Sequence, residues 1–287
     1  MANRLKTIFP TESQHHFDIH VPQNHLLKVL INEAKQFSNY QLYMNTIVNE
    51  LIQDETGRFT GVRAKCNGEQ IEIQSSLVIA ADGRFSTVRK LAGVSVNKRK
   101  HGYDLLWAKI PAPSNWEPTI RFAMVDGRQV ALFTQEGGYI QIGWNIKEGT
   151  YSEIRKQSFE PFINKLLTAF PNLEEQVRAY IQSWDDFVYL SVFSSTMDHW
   201  IKDNSLIFIG DAAHTMSPTG AFGINSSLKD AEKLAELIQT IDLLNPQPGA
   251  FQIFEESRKE EVAKQQAQQL QMESSYKENF LATISSN

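Results

Sequence analysis

Gly210-Asp211-Ala212-Ala213-His214-Thr215-Met216-Ser217-Pro218-Thr219-Gly220-Ala221-Phe222-Gly223-Ile224-Asn225 follows a wholly apolar run, Leu206-Ile207-Phe208-Ile209. It opens a segment in which Ile224, Leu228, Ala231, Leu234, Leu237, Ile238 and Ile241 recur at steps of three and four. The pattern reads as a buried strand, a glycine-bearing turn and a long amphipathic helix. Ligands of open α/β sheets bind beyond the carboxyl ends of the strands, which is where this turn falls. Gly210 permits close backbone approach, and Asp211 can accept hydrogen bonds from the hydroxyls of a sugar or sugar alcohol. Gly220 and Gly223 expose N–H groups at a helix start, where the dipole favours negative charge. Together these residues suit a polyol with an anion at one end. His214 reads as a packed, hydrogen-bonded imidazole rather than a base.

A second apolar run, Leu77-Val78-Ile79-Ala80-Ala81, reads as a strand buried on both faces. Asp82-Gly83-Arg84-Phe85-Ser86-Thr87-Val88-Arg89 comes directly after it. An acid and a glycine at that place allow a sharp turn beside a ligand, and the same acid can equally be the N-cap of a helix starting near Ser86.

Upstream, Leu26, Leu27, Leu30, Ile31 and Ala34 predict a helix over about 24–37, with Pro22 tolerated at its start. Residues 41–53, 61–66 and 70–73 read as strands joined by turns at Thr56-Gly57 and Asn67-Gly68. Between the two motifs the texture changes to alternation. Residues 121–125, 129–133 and 139–144 predict antiparallel hairpins with turns at Asp126-Gly127 and Gly137-Gly138. Helices are expected at 159–170 and 173–182. Residues 251–280, rich in Glu, Lys and Gln, read as a solvated helix packed by one narrow stripe of Phe251, Phe254, Val262 and Leu270. The chain leaves one α/β domain, builds an antiparallel sheet and returns.

Composition removes several classes. With 41% hydrophobic and 21% charged residues in 287, the chain is ordinary globular material, and no apolar run is long enough to span a bilayer. A formal charge of −5 disfavours nucleic acid as the main partner. The lone Cys66 fits a reducing compartment and reads as a bland strand residue rather than a nucleophile. Met1-Ala2-Asn3-Arg4-Leu5-Lys6 begins like a signal peptide but no apolar stretch comes after it, so a cytoplasmic location is expected. His15, His16, His20 and His25 resemble a metal cluster only by count, since adjacent residues of a strand point apart. Asp185-Asp186 fails as an acid/base pair for the same reason.

The two motifs resemble the Gly-Asp and Asp-Gly fingerprints of the flavoprotein aromatic hydroxylases, FAD-dependent monooxygenases with the p-hydroxybenzoate hydroxylase fold. The first matches at Gly210, Asp211, Ala212, Ala213, His214, Pro218, Gly220, Gly223, Asn225, Asp230, Ala231, Leu234 and Ala235, the second at Asp82, Gly83, Ser86, Val88 and Arg89. The resemblance extends from about residue 17 to the C-terminus. It implies an α/β fold, a glutathione-reductase-like FAD-binding parallel sheet with an inserted antiparallel-sheet substrate domain. The parts would be residues 1–100 and 201–287 for FAD and 101–200 for substrate. It implies that Asp211 holds a ribityl hydroxyl, that Pro218 lines the flavin ring, and that Gly223, Ile224 and Asn225 present a helix N-terminus to its pyrimidine edge. Asp82, Gly83 and Arg89 would lie near FAD and an entering NADH or NADPH. The implied reaction is hydroxylation of a small aromatic or apolar substrate by O2 through a flavin C4a-hydroperoxide, with no side chain named as acid or base. Trp107, Phe122, Phe133, Tyr139 and Trp144 are the candidate pocket residues.

The chain departs from the family in two places. No G-x-G-x-x-G turn is present, so the fold would be N-terminally truncated by its first βαβ unit, which normally binds the pyrophosphate. Gln23 stands where the family usually has an arginine near FAD. Three readings are compatible with these departures: a monooxygenase whose recorded N-terminus is incomplete or whose first unit is a separate chain, a non-catalytic remnant, and a related reductase or halogenase. Leu106-Trp107-Ala108-Lys109-Ile110-Pro111 keeps only Ile-Pro of the halogenase W-x-W-x-I-P.

Overall fold

In this computed structural model residues 4–8, 21–117 and 119–282 are described, with side-chain surroundings given for 21–117 and 119–274. In chain order the elements begin β1 (Arg4–Ile8), α1 (Gln23–Ala34), β2 (Thr46–Gln53), β3 (Phe59–Cys66), β4 (Glu69–Gln74), β5 (Val78–Ala80), α2 (Thr87–Leu91) and β6 (Asn97–Lys100). Then come β7 (Tyr103–Pro111), β8 (Ile120–Val125), β9 (Arg128–Gln135), β10 (Tyr139–Lys147), α3 (Tyr151–Ile154), α4 (Phe159–Ala169) and α5 (Glu174–Tyr180). The chain closes with β11 (Val188–Leu190), β12 (Phe193–Thr196), β13 (Ile201–Lys202), β14 (Leu206–Phe208), β15 (His214–Thr215), α6 (Phe222–Ile238) and α7 (Gln252–Ala282).

Two compact units result, one of residues 1–41 and 102–192, the other of residues 42–101 and 193–287. The first is a six-stranded sheet in the order β1-β8-β9-β10-β7-β11, antiparallel at every pairing. Its turns obey local chemistry: Val125 pairs with Arg128, leaving Asp126 and Gly127 as a two-residue loop with φ of 50° and 71°. That is the left-handed pair a tight hairpin needs, and Asp-Gly supplies it at low cost. One face of the sheet, with Leu106, Ile110, Leu132, Ile142 and Trp144, packs into a core with Ile163 and Leu166 of α4 and Val177 of α5. Through its pairing with β8, β1 adds an edge strand to this sheet.

The second unit holds three small sheets: β2-β3-β4, β15-β12-β6 and β13-β14-β5. In the last, β14 and β5 run parallel, with Leu206 opposite Val78 and Phe208 opposite Ala80. The core gathers Phe59, Val78, Val88, Trp200, Phe208, Phe251, Phe254 and Val262. Burying a side chain such as Phe208 completely contributes about 1.5–3 kcal/mol.

Three expectations need correction. The run 77–81 is not covered on both faces: β5 pairs on one side with β14, and Ile79 is 43% exposed. The strand expected from residue 41 starts at Thr46, because Asn45 turns the chain with φ of 52°. The amphipathic helix α1 forms, but none of its residues is buried, and Leu27 and Leu30 face outward.

Candidate cofactor site

β5 and β14 end side by side, with the Ile209 amide donating to the Ala80 carbonyl at 3.0 Å, and the two motif turns leave from these ends. Gly210 has φ of 54°, and a Cβ there would stand 2.8 Å from Ser227 Oγ and 3.1 Å from Ser227 Cβ. Glycine therefore lets the turn lie against α6. The Gly210 amide donates to Asp230 Oδ2 at 2.7 Å, His214 Nε2 donates to the same oxygen at 2.6 Å, and Arg258 Nε donates to Oδ1 at 2.7 Å. Arg258 also donates to the Ser226 carbonyl and hydroxyl and pairs with Glu261. Burial alone would raise the Asp230 pKa, but the donors from His214, Arg258 and Gly210 outweigh it and hold the carboxyl below its ordinary range. With Asp230 ionised, His214 carries its proton on Nε2, leaving Nδ1 buried and without a partner among the described residues. Its ring stacks on Trp200 at 4.9 Å, so the imidazole is packed as the sequence suggests.

Asp211 is different. Its half-buried carboxylate accepts no hydrogen bond among the described residues, and burial pushes its pKa up, against the pull of Arg84 and His214. Beside it, the start of α6 is reached through Gly220 (φ 75°) and Ala221 (φ 54°) and has no side-chain cap and no acid in its first turn. Of its first N–H groups, that of Ala221 turns back to the Pro218 carbonyl at 3.2 Å, and those of Gly223 and Ile224 come next in the first turn. A Cβ on Gly223 would meet only Met216 Cβ, at 4.0 Å, so internal packing does not require glycine there. A bare backbone beside an uncapped helix end and an unpartnered carboxylate fits the polyol and the electron-rich edge of FAD. Pro218 lies half-buried on the same segment, and Ile224 and Asn225 are exposed at the helix start.

In the other turn Asp82 and Ser86 act as caps. Asp82 accepts from Ser86 Oγ at 2.5 Å and from the Val88 amide at 3.0 Å, and Ser86 Oγ accepts from the Arg89 amide at 3.0 Å. Arg89 is 5% exposed. Its guanidinium donates to the Ala212 carbonyl at 2.6 Å and the Arg84 carbonyl at 3.0 Å, tying the two motif turns together. Burial lowers its pKa, and the charge of Asp82 opposes that.

In the antiparallel unit, Trp107, Phe122 and Phe133 share the face turned away from α4 and α5. Phe133 stands 6.1 Å from Trp107 and 6.3 Å from Phe122 between ring centroids. Gly143 lies under Trp107: a Cβ there would be 2.9 Å from the indole. Tyr139, 40% exposed, carries Lys109 Nζ at 4.1 Å from its ring centre. Trp144 does not join them. It alternates onto the core face, 3% exposed and stacked on Phe162 at 4.0 Å. A cleft of about 410 Å³ is lined by Val21, Pro22, Gln23, Asn24, Lys109, Gln135 and Gln141.

The remaining candidates have structural roles or lie elsewhere. Asp186 caps a turn through the Gln182 and Ser183 amides, which hold its pKa down, and Asp185 pairs with Arg155. Cys66 is half-buried with Asn67 Nδ2 at 3.7 Å. His15, His16 and His20 lie outside the described residues. No helix among the described residues is long and apolar enough to cross a membrane. Arg258, which no motif marks in the sequence, is central to the Gly-Asp turn.

Two parallel strand ends, a carboxylate that accepts no hydrogen bond among the described residues and a helix start with no side-chain cap form a candidate nucleotide site at the edge of an α/β sheet. The chain belongs to the FAD binding domain family, whose pattern matches residues 3–242. A relative, 6-methylpretetramide 4-monooxygenase of Streptomyces rimosus, is 32% identical over 212 residues, 74% of this chain and 50% of that protein. The chain thus spans about half the length of this curated relative. Among solved structures, p-nitrophenol 4-monooxygenase PnpA from Pseudomonas putida DLL-E4 has a TM-score of 0.68 at 17% identity, over 88% of this chain and 63% of its own. CmlS, a flavin-dependent halogenase, has a TM-score of 0.70 at 16% identity, over 90% of this chain and 47% of its own. At such identities these two establish the shared fold alone.

Proposed function

We propose that this chain carries the flavin-holding and substrate-facing parts of a cytoplasmic monooxygenase that hydroxylates a small aromatic or otherwise apolar molecule, using O2 and NADH or NADPH. The Asp211 carboxylate, which accepts no hydrogen bond among the described residues and lies on a turn packed against α6, is the observation that carries this reading. Asp211 accepts a hydroxyl of the cofactor's sugar-alcohol chain. The start of α6 at Gly223, Ile224 and Asn225 faces the ring edge that becomes negative on reduction, with the Gly223 and Ile224 amides donating toward it, and Pro218 lines the ring. Asp82 and Gly83 shape the second turn at the cofactor, and Arg89 keeps it against the first. When bound, FAD supplies the hydride and oxygen chemistry, while the protein orients substrate and excludes water. Trp107, Phe122 and Phe133 offer an aromatic surface for a flat apolar substrate, with Tyr139 at its rim.

Titration of the 287-residue chain with FAD, followed by flavin fluorescence and visible absorbance, tests the reading. Binding should weaken about tenfold to a hundredfold in Asp211→Ala, the loss of a hydrogen bond to a charged group. Equal binding by both proteins would sink the assignment of Asp211. A second reading, favoured by the edge position of β5 among the described strands, is that a further strand with a glycine-rich turn completes the sheet, from this polypeptide or another. It expects little FAD binding until that segment is supplied.

A further inference from the structure

A second set of buried polar contacts runs along α7. Glu255, Arg258, Val262, Gln266, Gln269 and Glu273 recur at steps of three and four, hence on one face. Gln266 Nε2 donates to the carbonyls of Ser195 at 3.2 Å and Thr215 at 3.0 Å. Gln269 Nε2 donates to the carbonyls of Ser217 at 2.8 Å and Thr219 at 2.6 Å. Glu273 Oε1 accepts from Ser217 Oγ and Thr219 Oγ1, both at 2.7 Å. Its other oxygen accepts from His101 Nδ1 at 2.6 Å, and Ser194 Oγ lies 3.0 Å from His101 Nε2. The His101 side chain is fully buried, and that of Glu273 is 16% exposed.

The residues on either side of Pro218 are therefore each gripped twice by α7, once at the carbonyl and once at the hydroxyl. The backbone immediately after Thr219 is a costly one. Gly220 and Ala221 both have positive φ, and a left-handed alanine persists only where its surroundings fix it. The geometry points to Glu273 as a positioning residue for the cofactor: through Ser217 and Thr219 it sets the Pro218–Ala221 segment and the opening of α6 at the place the flavin ring requires. This inference rests on the flavin-binding reading above. Burial works against the charge on Glu273, but His101, Thr219 and Ser217 together hold its pKa below the ordinary range, so the acceptor stays ionised.

The test uses the full chain with two readouts, amide hydrogen exchange across residues 215–225 without flavin, and FAD affinity with the visible spectrum of bound flavin. Glu273→Ala should speed exchange at residues 217–221 and weaken FAD binding about tenfold or more, with a changed flavin absorption envelope. Glu273→Gln keeps an oxygen for the two hydroxyls and should recover most of both effects. Glu255→Ala removes a carboxylate from the same face that holds the Trp200 amide at 3.0 Å, and controls for general loss of stability. Exchange unchanged in Glu273→Ala would overturn the proposal, as would faster exchange with unaltered FAD affinity and spectrum, or effects no larger than those of Glu255→Ala. If the unaltered chain binds no FAD, the cofactor reading fails for the chain alone and takes the proposal with it. The exchange result would still show separately whether Glu273 orders the segment.

Discussion

Replacing Arg258 by methionine should destabilise the second unit far more than a surface arginine could. Asp230 is 0% exposed and its Oδ1 is engaged by Arg258 Nε at 2.7 Å. Removing one partner of a buried charge pair costs about 3–5 kcal/mol, and Asp230 keeps its bonds from the Gly210 amide and His214, so the lower end, about 3 kcal/mol, applies. Asp230→Asn should cost about as much, since Arg258 retains Glu261 and Ser226. The double variant removes both charges together and should fall short of the sum by about 2 kcal/mol. Urea denaturation followed by ellipticity reads this as a midpoint lowered by about 1–3 M in each single variant, at slopes of about 1–3 kcal/mol/M. Exchange of the Gly210 amide gives a local check, because that N–H points at Asp230. Additivity of the two single effects within about 0.5 kcal/mol would refute the reasoning, since it would mean that the two side chains do not share an interaction.

Gly210→Ala should destabilise by about 1–2 kcal/mol from the left-handed backbone alone, and by more from the approach to Ser227. Gly210→Ala combined with Ser227→Gly should recover the second part and not the first, as thermal melts would show; a full recovery would contradict the backbone argument. Acid should act in two stages. The Asp211 pKa is raised, so FAD affinity, which needs the charged form, should fall as pH drops through a value above the ordinary 3.8. Asp230 and Glu273 are depressed below 3.8 and 4.5, so the stability they contribute is present above those values and is lost only as pH falls through their lower native ones. Parallel titrations of FAD binding and ellipticity should separate the stages, and Asp211→Asn should abolish the first alone. Loss of both signals in one step would contradict this order.

The Gly-Asp turn was legible in the sequence because its requirements are local. A left-handed backbone asks for glycine at 210, and a strand entering a helix announces itself by a change of period. The residues that lock the turn were not legible by composition. Arg258, Gln269 and Glu273 are residue types that usually face solvent, and only their spacing with Val262 marks one face of α7. Trp144 shows a second limit. Alternation separates two faces but does not say which one the helices cover, and the register that puts Trp144 opposite Leu106 and Val130 sends it to the core. Ile79 shows a third, since an apolar run is equally suited to a covered strand and to one with an open side. Asp82 and Arg89 were marked in the sequence by their turn, and the structure uses Asp82 as a cap and Arg89 to join two backbones.

The placement of the locking residues on α7 also orders events in time. Arg258 comes 28 positions after its partner Asp230, and Glu273 comes 54 and 56 positions after Thr219 and Ser217. During synthesis both glycine turns leave the ribosome well before the side chains that fix them. Long-range closure of this kind is the slow part of folding. The Pro218–Ala221 segment therefore reaches its final shape only after α7 docks, and any ligand that requires that shape must wait for α7.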